Sequence, residues 1–334
     1  MASTGYLTSS SLIETIKREG MIPTSQNTFS DNDFLAMANQ EIKIGLVPSI
    51  MQYHEEYLVI DSDDITLVAN KSNYSIPYRA IGNKFREVFY KDQSGNLRAM
   101  SRISPDHRPF YQQSGLQSQF VHFYIKGNDV VLVPDVGSNP VGSIIFSYWF
   151  KPNDLVSESR VSTITSISTG ASTTTYAVDF IPQNLQAFVQ DGVTLTSFSS
   201  LSKLDLLQRK PGHKTVAFDI YPTSVDTTNK TITFSSNDVD TSVVAGDYVA
   251  FAGECIIPQI PSDLHDVLAH RVMMRAVQAL GDTNAYQIAS TKLNEMEKNT
   301  GILIDNRSEG NPQKINNIRG PLRAAKFQSY RRVR

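Results

Sequence analysis

The chain has a single cysteine, Cys255, in 334 residues, so no disulfide can form within it. That excludes a cystine-stapled scaffold and fits synthesis in a reducing compartment. Its neighbours Ile256 and Ile257 mark a buried, inert thiol rather than a nucleophile. No apolar run approaches the roughly 20 residues that a membrane span needs. Residues 1–10 show no basic start followed by an apolar stretch, so no signal peptide is expected. Also missing are a phosphate-cradling glycine loop, a G-x-S-x-G elbow and a His/Cys ligand set. His265 and His270 stand five apart rather than four, so on a helix they point in different directions and read as structural. Asp61-Ser62-Asp63-Asp64 lacks the glycine and distal glutamate of a calcium loop and reads as a solvated turn. Asp106-His107 lies beside two prolines with no nucleophile nearby. The expectation is a protein that is not an enzyme and takes no metal and no cofactor.

Charge is scarce overall but unevenly placed. The net charge is −2, yet residues 314–334 hold two Lys, five Arg and no carboxylate, a charge of +7 that leaves −9 for residues 1–313. An acidic body with a basic tail suggests that the tail meets an anionic surface. The tail also carries Leu322, Phe327 and Tyr330. Three readings fit it: a solubilising terminus, a nucleic-acid contact, or an arm docking into an acidic groove of a protein partner.

What is plentiful is apolar periodicity at the two ends. In Ile260–Asp282, Leu264, Val267, Leu268, Val272, Ala276 and Leu280 recur at helical spacing and form one stripe. Pro261 suits the first turn, Asp263 and Asp266 suit the positive end of the macrodipole, and Gly281 suits the stop. A second helix runs from an Asp282 cap through Asn299 and is closed by Gly301. The long stripe needs a partner helix, and the candidates lie far upstream. Ser11–Glu19 reads as a short helix capped by Ser10 or Ser11 and stopped by Gly20. Asp33–Gly45 reads as another, with Phe34, Leu35, Ala38, Ile42 and Leu46 as its stripe and Pro48 perturbing or restarting it.

Between the ends the texture is β-type. Phe85–Tyr90 and Asn96–Ile103 flank a turn at Asp92–Gly95, and Gln119–Ile125 and Val130–Pro134 flank Gly127–Asp129. Ile144–Phe150 is a strong strand containing the only tryptophan, Trp149. Beyond Asp154 the sequence turns rich in Ser and Thr while Val, Ile, Phe and Tyr still alternate, as in an inserted β module. The expected fold class is α+β, with N- and C-terminal helices forming a helical bundle and a large central β excursion. The expected divisions are 1–56 (helices of the base), 57–154 (β-rich core), 155–255 (inserted module), 256–301 (helices of the base) and 302–334 (basic arm).

The helix Ser11–Glu19 is followed by Phe29-Ser30-Asp31-Asn32-Asp33-Phe34-Leu35 and by Asn39-Gln40-Glu41-Ile42. Then come Tyr74–Ala80 (YSIPYRA), Gly127–Pro134 (GNDVVLVP), Phe146–Pro152 (FSYWFKP), and Gly246-Asp247-Tyr248 ahead of Ile257–Leu268. In this order, over most of residues 10–300, the chain resembles the adaptor, or head-to-tail connector, proteins of tailed bacteriophages. The Ser/Thr-rich module is a departure from the family pattern.

The resemblance implies a virion structural protein of the neck, made in the bacterial cytoplasm. It implies a self-assembled ring, usually of twelve copies, beneath the portal protein, with tail or nozzle proteins on the other side. Genomic DNA would pass through without sequence-specific binding, and no membrane is involved. Lys314, Arg319, Leu322, Arg323, Lys326, Phe327, Tyr330, Arg331, Arg332 and Arg334 would form the portal-binding arm. Phe34, Leu35, Ala38, Ile42, Leu264, Leu268, Val272 and Leu280 would pack the ring body. The alternatives are another tail, baseplate or receptor-facing virion protein, or an enzyme that degrades cell wall or polysaccharide.

Overall fold

A computed structural model describes residues 7–22, 28–113, 122–209 and 214–304. Its helices are α1 (Ser9–Glu19), α2 (Asp31–Gln40), α3 (Val47–Tyr53), α4 (Arg108–Gln113), α5 (His265–Leu280) and α6 (Thr283–Ile304). The first strands are β1 (Val59–Asp61), β2 (Ile65–Thr66), β3 (Asn73–Ser75), β4 (Ala80–Lys91) and β5 (Leu97–Ala99). Next are β6 (Ser101–Arg102), β7 (His122–Lys126), β8 (Asp129–Val133), β9 (Ser143–Phe150) and β10 (Asp154–Leu155). There follow β11 (Ser162–Thr169), β12 (Thr173–Val178), β13 (Phe188–Gln190), β14 (Val193–Leu195) and β15 (Leu204–Leu207). The last are β16 (Thr215–Ile220), β17 (Ser224–Asp226), β18 (Thr231–Ser235), β19 (Tyr248–Phe251) and β20 (Glu254–Cys255).

The expected α+β class with a flanking helical bundle is corrected by this inventory. The protein is mostly β, with about 20 strands in several sheets. The reason lies in what covers the α5 stripe. Its cluster contains Leu12, Ile16, Phe34 and Ala38 from α1 and α2, but also Leu155, Val161, Leu207, Tyr248 and Ala250 from the strand regions. The α5 stripe is thus covered by α1, α2 and α6 and by strand residues together, so the helices share their core with sheet.

Local chemistry sets the helix ends. Thr8, rather than Ser10 or Ser11, caps α1 by accepting from Ser11 N–H. Ser30 and Asp33 form a reciprocal capping box at α2. Beyond Gln40 the helix widens into a π segment, Glu41–Leu46, before α3 resumes with Pro48 in its first turn. Pro48 offers no N–H and its ring crowds the carbonyl four residues back, so the preceding turn opens. Gly281 ends α5 in the left-handed conformation, φ +81°. Gly301 does not close α6, which runs on to Ile304.

Two sheets form a sandwich. The five-stranded sheet runs β1-β9-β4-β5 with β2 beside β9, and the four-stranded one runs β3-β8-β7-β6. Val88, Ile144, Phe146 and Tyr148 of the first meet Tyr74, Phe123, Val130 and Leu132 of the second in one core. The two hairpins form at their expected turns, with Tyr90 opposite Arg98 and Tyr124 opposite Val131. A seven-stranded sheet, β16-β15-β19-β11-β12-β18-β17, wraps a separate core of Ile164, Tyr176, Ile232, Phe234, Val249 and Phe251. Along β12 and β18 the buried Tyr176 and Ile232 alternate with half-buried Thr175 and Thr233, so much of the Ser/Thr texture lies on the outer face of these strands, Thr174 being buried on the inner one.

Candidate functional site

The most concentrated polar chemistry lies where the sandwich, the seven-stranded sheet and the helical layer meet. Arg79 stands immediately before β4, inside the YSIPYRA stretch, and is 6 % exposed. Its Nη1 donates to Asp205 Oδ2 at 2.9 Å and Asn153 Oδ1 at 3.1 Å. Its Nη2 donates to Asp205 Oδ1 at 2.9 Å and Asp219 Oδ1 at 2.7 Å. Its Nε lies 3.2 Å from Asp219 Oδ2 and 3.1 Å from the Tyr78 hydroxyl. These contacts engage all the N–H groups of the guanidinium. Asp205, fully buried on β15, also accepts from Asn153 Nδ2 and from the backbone N–H groups of Asp219 and Gly253.

Asp219 sits at φ +55°, in a bulge of β16 against β15. An aspartate in that conformation is strained, and here the strain aims its carboxylate at Arg79. Burial opposes the Arg79 charge, but Asp205 and Asp219 outweigh it and the group's pKa rises. Burial pushes the Asp205 carboxyl up, offset in part by Arg79. Burial and the bond to Asp219 push the Tyr78 phenol up.

A second clamp lies nearby. Arg160 makes a bidentate pair with Glu254, at 3.0 Å and 2.6 Å, with its guanidinium against Phe188 and Phe251. Burial raises the Glu254 pKa and Arg160 holds it back. Asn39 of α2 brackets Leu155, donating to its carbonyl at 3.0 Å and accepting its N–H at 2.7 Å. These elements wall a cleft of about 500 Å³ whose lining includes Asn39, Tyr78, Arg79, Asn153, Phe188 and Glu254. Its floor groups satisfy one another. What the arrangement can do is lock three units at a fixed angle, and it leaves Arg79 no donor for a ligand.

Several landmark stretches join here. Tyr74 pairs with Val130, and Ser75 Oγ bonds Asp129, so YSIPYRA lies along GNDVVLVP. Lys151 N–H donates to Arg79 O, which brings FSYWFKP to the same point. In Asn39-Gln40-Glu41-Ile42, Gln40 and Glu41 accept from Arg275 and Glu41 also accepts from Arg271, while Ile42 is core. Asp247, 1 % exposed, accepts the N–H groups of Arg209 and Val244.

Of the residues expected to pack the ring body, Phe34, Leu35, Ala38, Ile42, Leu264, Leu268 and Val272 are buried in one cluster. Leu280 is not: it is 48 % exposed at the last residue of α5, where the stripe has rotated off the core. Residues 314–334, which hold every arm residue named above, lie outside the described residues. His265 accepts from Leu7 N–H and faces Pro258 O, and His270 lies between Glu19 and Ala289 O. Cys255 is buried, and burial pushes its thiol up. Asp61 closes β1, and Asp64 pairs with Lys91. No group of three or more His, Cys, Asp or Glu able to hold a metal occurs among the described residues, and none of their helices is long and apolar enough to cross a membrane. The Arg79 clamp is not legible in the sequence, because Asn153, Asp205 and Asp219 lie 74 to 140 residues away. One signal for it existed: Asp205 interrupts the apolar run Leu204–Leu207.

No protein-family model matches the chain, and no curated protein matches it significantly.

Proposed function

We propose that this chain is a structural, non-catalytic protein of the phage neck, a head-to-tail adaptor that binds the portal ring and offers a platform to the tail. One observation carries the reading: the polar residues of the landmark stretches are engaged in structural clamps, those of Arg79 and Asn39 between units and those of Glu41 and Asp247 within one, as befits a part that transmits load. Arg79, Asn39, Glu41 and Asp247 each hold a different pair of elements together. In this role the copies form a ring, usually of twelve, through which DNA passes without base-specific contact. The arm from Lys314 to Arg334 docks on the portal, with Leu322, Phe327 and Tyr330 as apolar anchors among the basic residues.

The test is co-sedimentation of the full chain and of a 1–313 truncation with the portal ring encoded beside it. Binding by the full chain alone, at near-equal subunit stoichiometry, supports both the role and the arm. Binding by neither removes the adaptor reading. The mostly β fold and the hydroxyl-rich outer face of β12 and β18 favour one alternative, a tail, baseplate or receptor-facing virion part. Imaging the parent particle separates the two, since density confined to a distal fibre belongs to the alternative.

A further inference from the structure

The five-stranded sheet has one face in the sandwich core and another that is only half covered. On this second face, strand register lines up Asp61, Ser147 and Glu87 in one row. The next row is Ile145, Phe89 and Ala99, followed by Ser143, Lys91 and Leu97. At the near end Trp149 packs on the helical cluster. Farther along, Ile145, Phe89 and Leu97 belong to none of the apolar clusters among the described residues, and Leu97 is 58 % exposed. The rim is acidic. Asp61 and Glu87 stand on the face itself with no ion-pair partner among the described residues, while its one base, Lys91, is paired with Asp64.

An apolar strip with a carboxylate rim has an evident complement in the same chain. Residues 314–334 carry +7 with Leu322, Phe327 and Tyr330 spaced among the charges. Thirty residues follow Ile304 and span up to about 100 Å when extended, against a radius of gyration near 20 Å for a compact chain of this length. The arm therefore reaches any point on its own body. We propose that, before a partner is bound, the basic arm docks in cis on the open face of the five-stranded sheet. Phe327 and its apolar neighbours lie on the Ile145–Phe89–Leu97 strip, and the arginines face Asp61 and Glu87. A partner surface then competes for an arm already held at high local concentration, so portal engagement is a displacement. The cis contact goes beyond the adaptor role and does not depend on it; only its displacement by the portal rests on that role.

The test is a cysteine pair in the full chain, Leu97→Cys with Phe327→Cys, oxidised at low protein concentration. Cys255 is buried and does not compete. The expected product is an intramolecular disulfide, seen as a mobility shift without dimer. The control pair, Leu201→Cys with Phe327→Cys, uses an exposed residue of the seven-stranded unit and should stay largely reduced. Adding Asp61→Lys and Glu87→Lys to the first pair should slow cross-linking about tenfold, the scale of two surface charge pairs reversed. Raised salt should slow it as well. Equal yields for the two pairs, no cross-link, or indifference to charge reversal would each overturn the proposal. A disulfide-linked dimer would also overturn it, because the arm would then belong to a second copy. Portal binding by the wild-type chain is scored separately, so either idea can fail without the other.

Discussion

Replacing Arg79 by methionine tests the clamp most directly. Methionine keeps much of the side-chain volume and removes the charge and every donor. At 2.9 Å and an effective dielectric near 20, the Arg79–Asp205 attraction is gross on the order of 5 kcal/mol. Most of that offsets the desolvation of two buried groups, whose side chains are 7 % and 0 % exposed. The loss on mutation is governed by what remains: a buried carboxylate with no counter-charge. Asp205 keeps three donors, from Asn153, Asp219 and Gly253, which softens the penalty. Breaking a buried pair costs about 3–5 kcal/mol, and the remaining donors place Arg79→Met near 3. Urea unfolding followed by far-ultraviolet circular dichroism gives the value, provided the slope is unchanged. Arg79→Met with Asp205→Asn removes the orphan charge and should recover part of the loss, so the two changes are strongly non-additive. A second control is Asp219→Gly, which relieves the strain at φ +55° but deletes a clamp carboxylate. If strain outweighs the bond, that variant is more stable than wild type; the clamp requires it to be less stable. A loss below about 1 kcal/mol for Arg79→Met, typical of an exposed pair, would refute the reasoning.

Two further outcomes follow from the structure. Gly45→Ala lies in a helical segment, where alanine is intrinsically favoured by about 1 kcal/mol, yet its methyl would collide with the Arg271 guanidinium. Arg271 is pinned to Glu41 and Glu297, so Gly45→Ala should be net destabilising by about 1–2 kcal/mol in urea unfolding, and Arg271→Ala in the same chain should reverse the sign. In alkali, burial pushes the Tyr148 and Tyr176 phenols up to about 12, whereas in the unfolded chain they ionise near 10. The native state therefore holds more protons in that window, and stability falls as pH rises through it. Their phenolate absorbance should appear together with unfolding, and Tyr148→Phe should make the fall less steep; early titration of these two groups in the folded protein would contradict their burial.

Local signals in the sequence were reliable where a short-range rule governs. The α5 stripe, its Gly281 stop and both hairpin turns follow from spacing and turn chemistry within a dozen residues. Failures came where a distant group decides. Thr8 became the α1 cap because Ser9 N–H is tied to Ile256 O, which fixes where the helix enters. Leu280 keeps the helical period but outlasts the core it would face. The bundle expectation failed because an apolar stripe specifies that it must be covered and not by what; Leu207, Tyr248 and Ala250 serve as well as another helix. Arg79 is invisible for a related reason, since nothing in its own neighbourhood names Asp205 or Asp219.

Why a charged pair sits at the junction at all follows from the backbone. Three sheets end within a few residues of each other, and where a ladder ends its last N–H groups lose their partners. Those of Asp219 and Gly253 both point at Asp205, whose carboxylate accepts them together with the Asn153 amide. An apolar residue at 205 would leave two buried N–H groups unpaired, at about 1–3 kcal/mol each. The aspartate is thus required by the ends of the strands, and the arginine is required by the aspartate. The same rule recurs at Asn39, which completes both backbone groups of Leu155, and at Asp247, which accepts from Arg209 and Val244. Replacement of a buried ion pair by hydrophobic residues is tolerated where the pair serves only itself. Here the pair also terminates strands, so Arg79 and Asp205 cannot be exchanged for leucine without reopening the backbone they close.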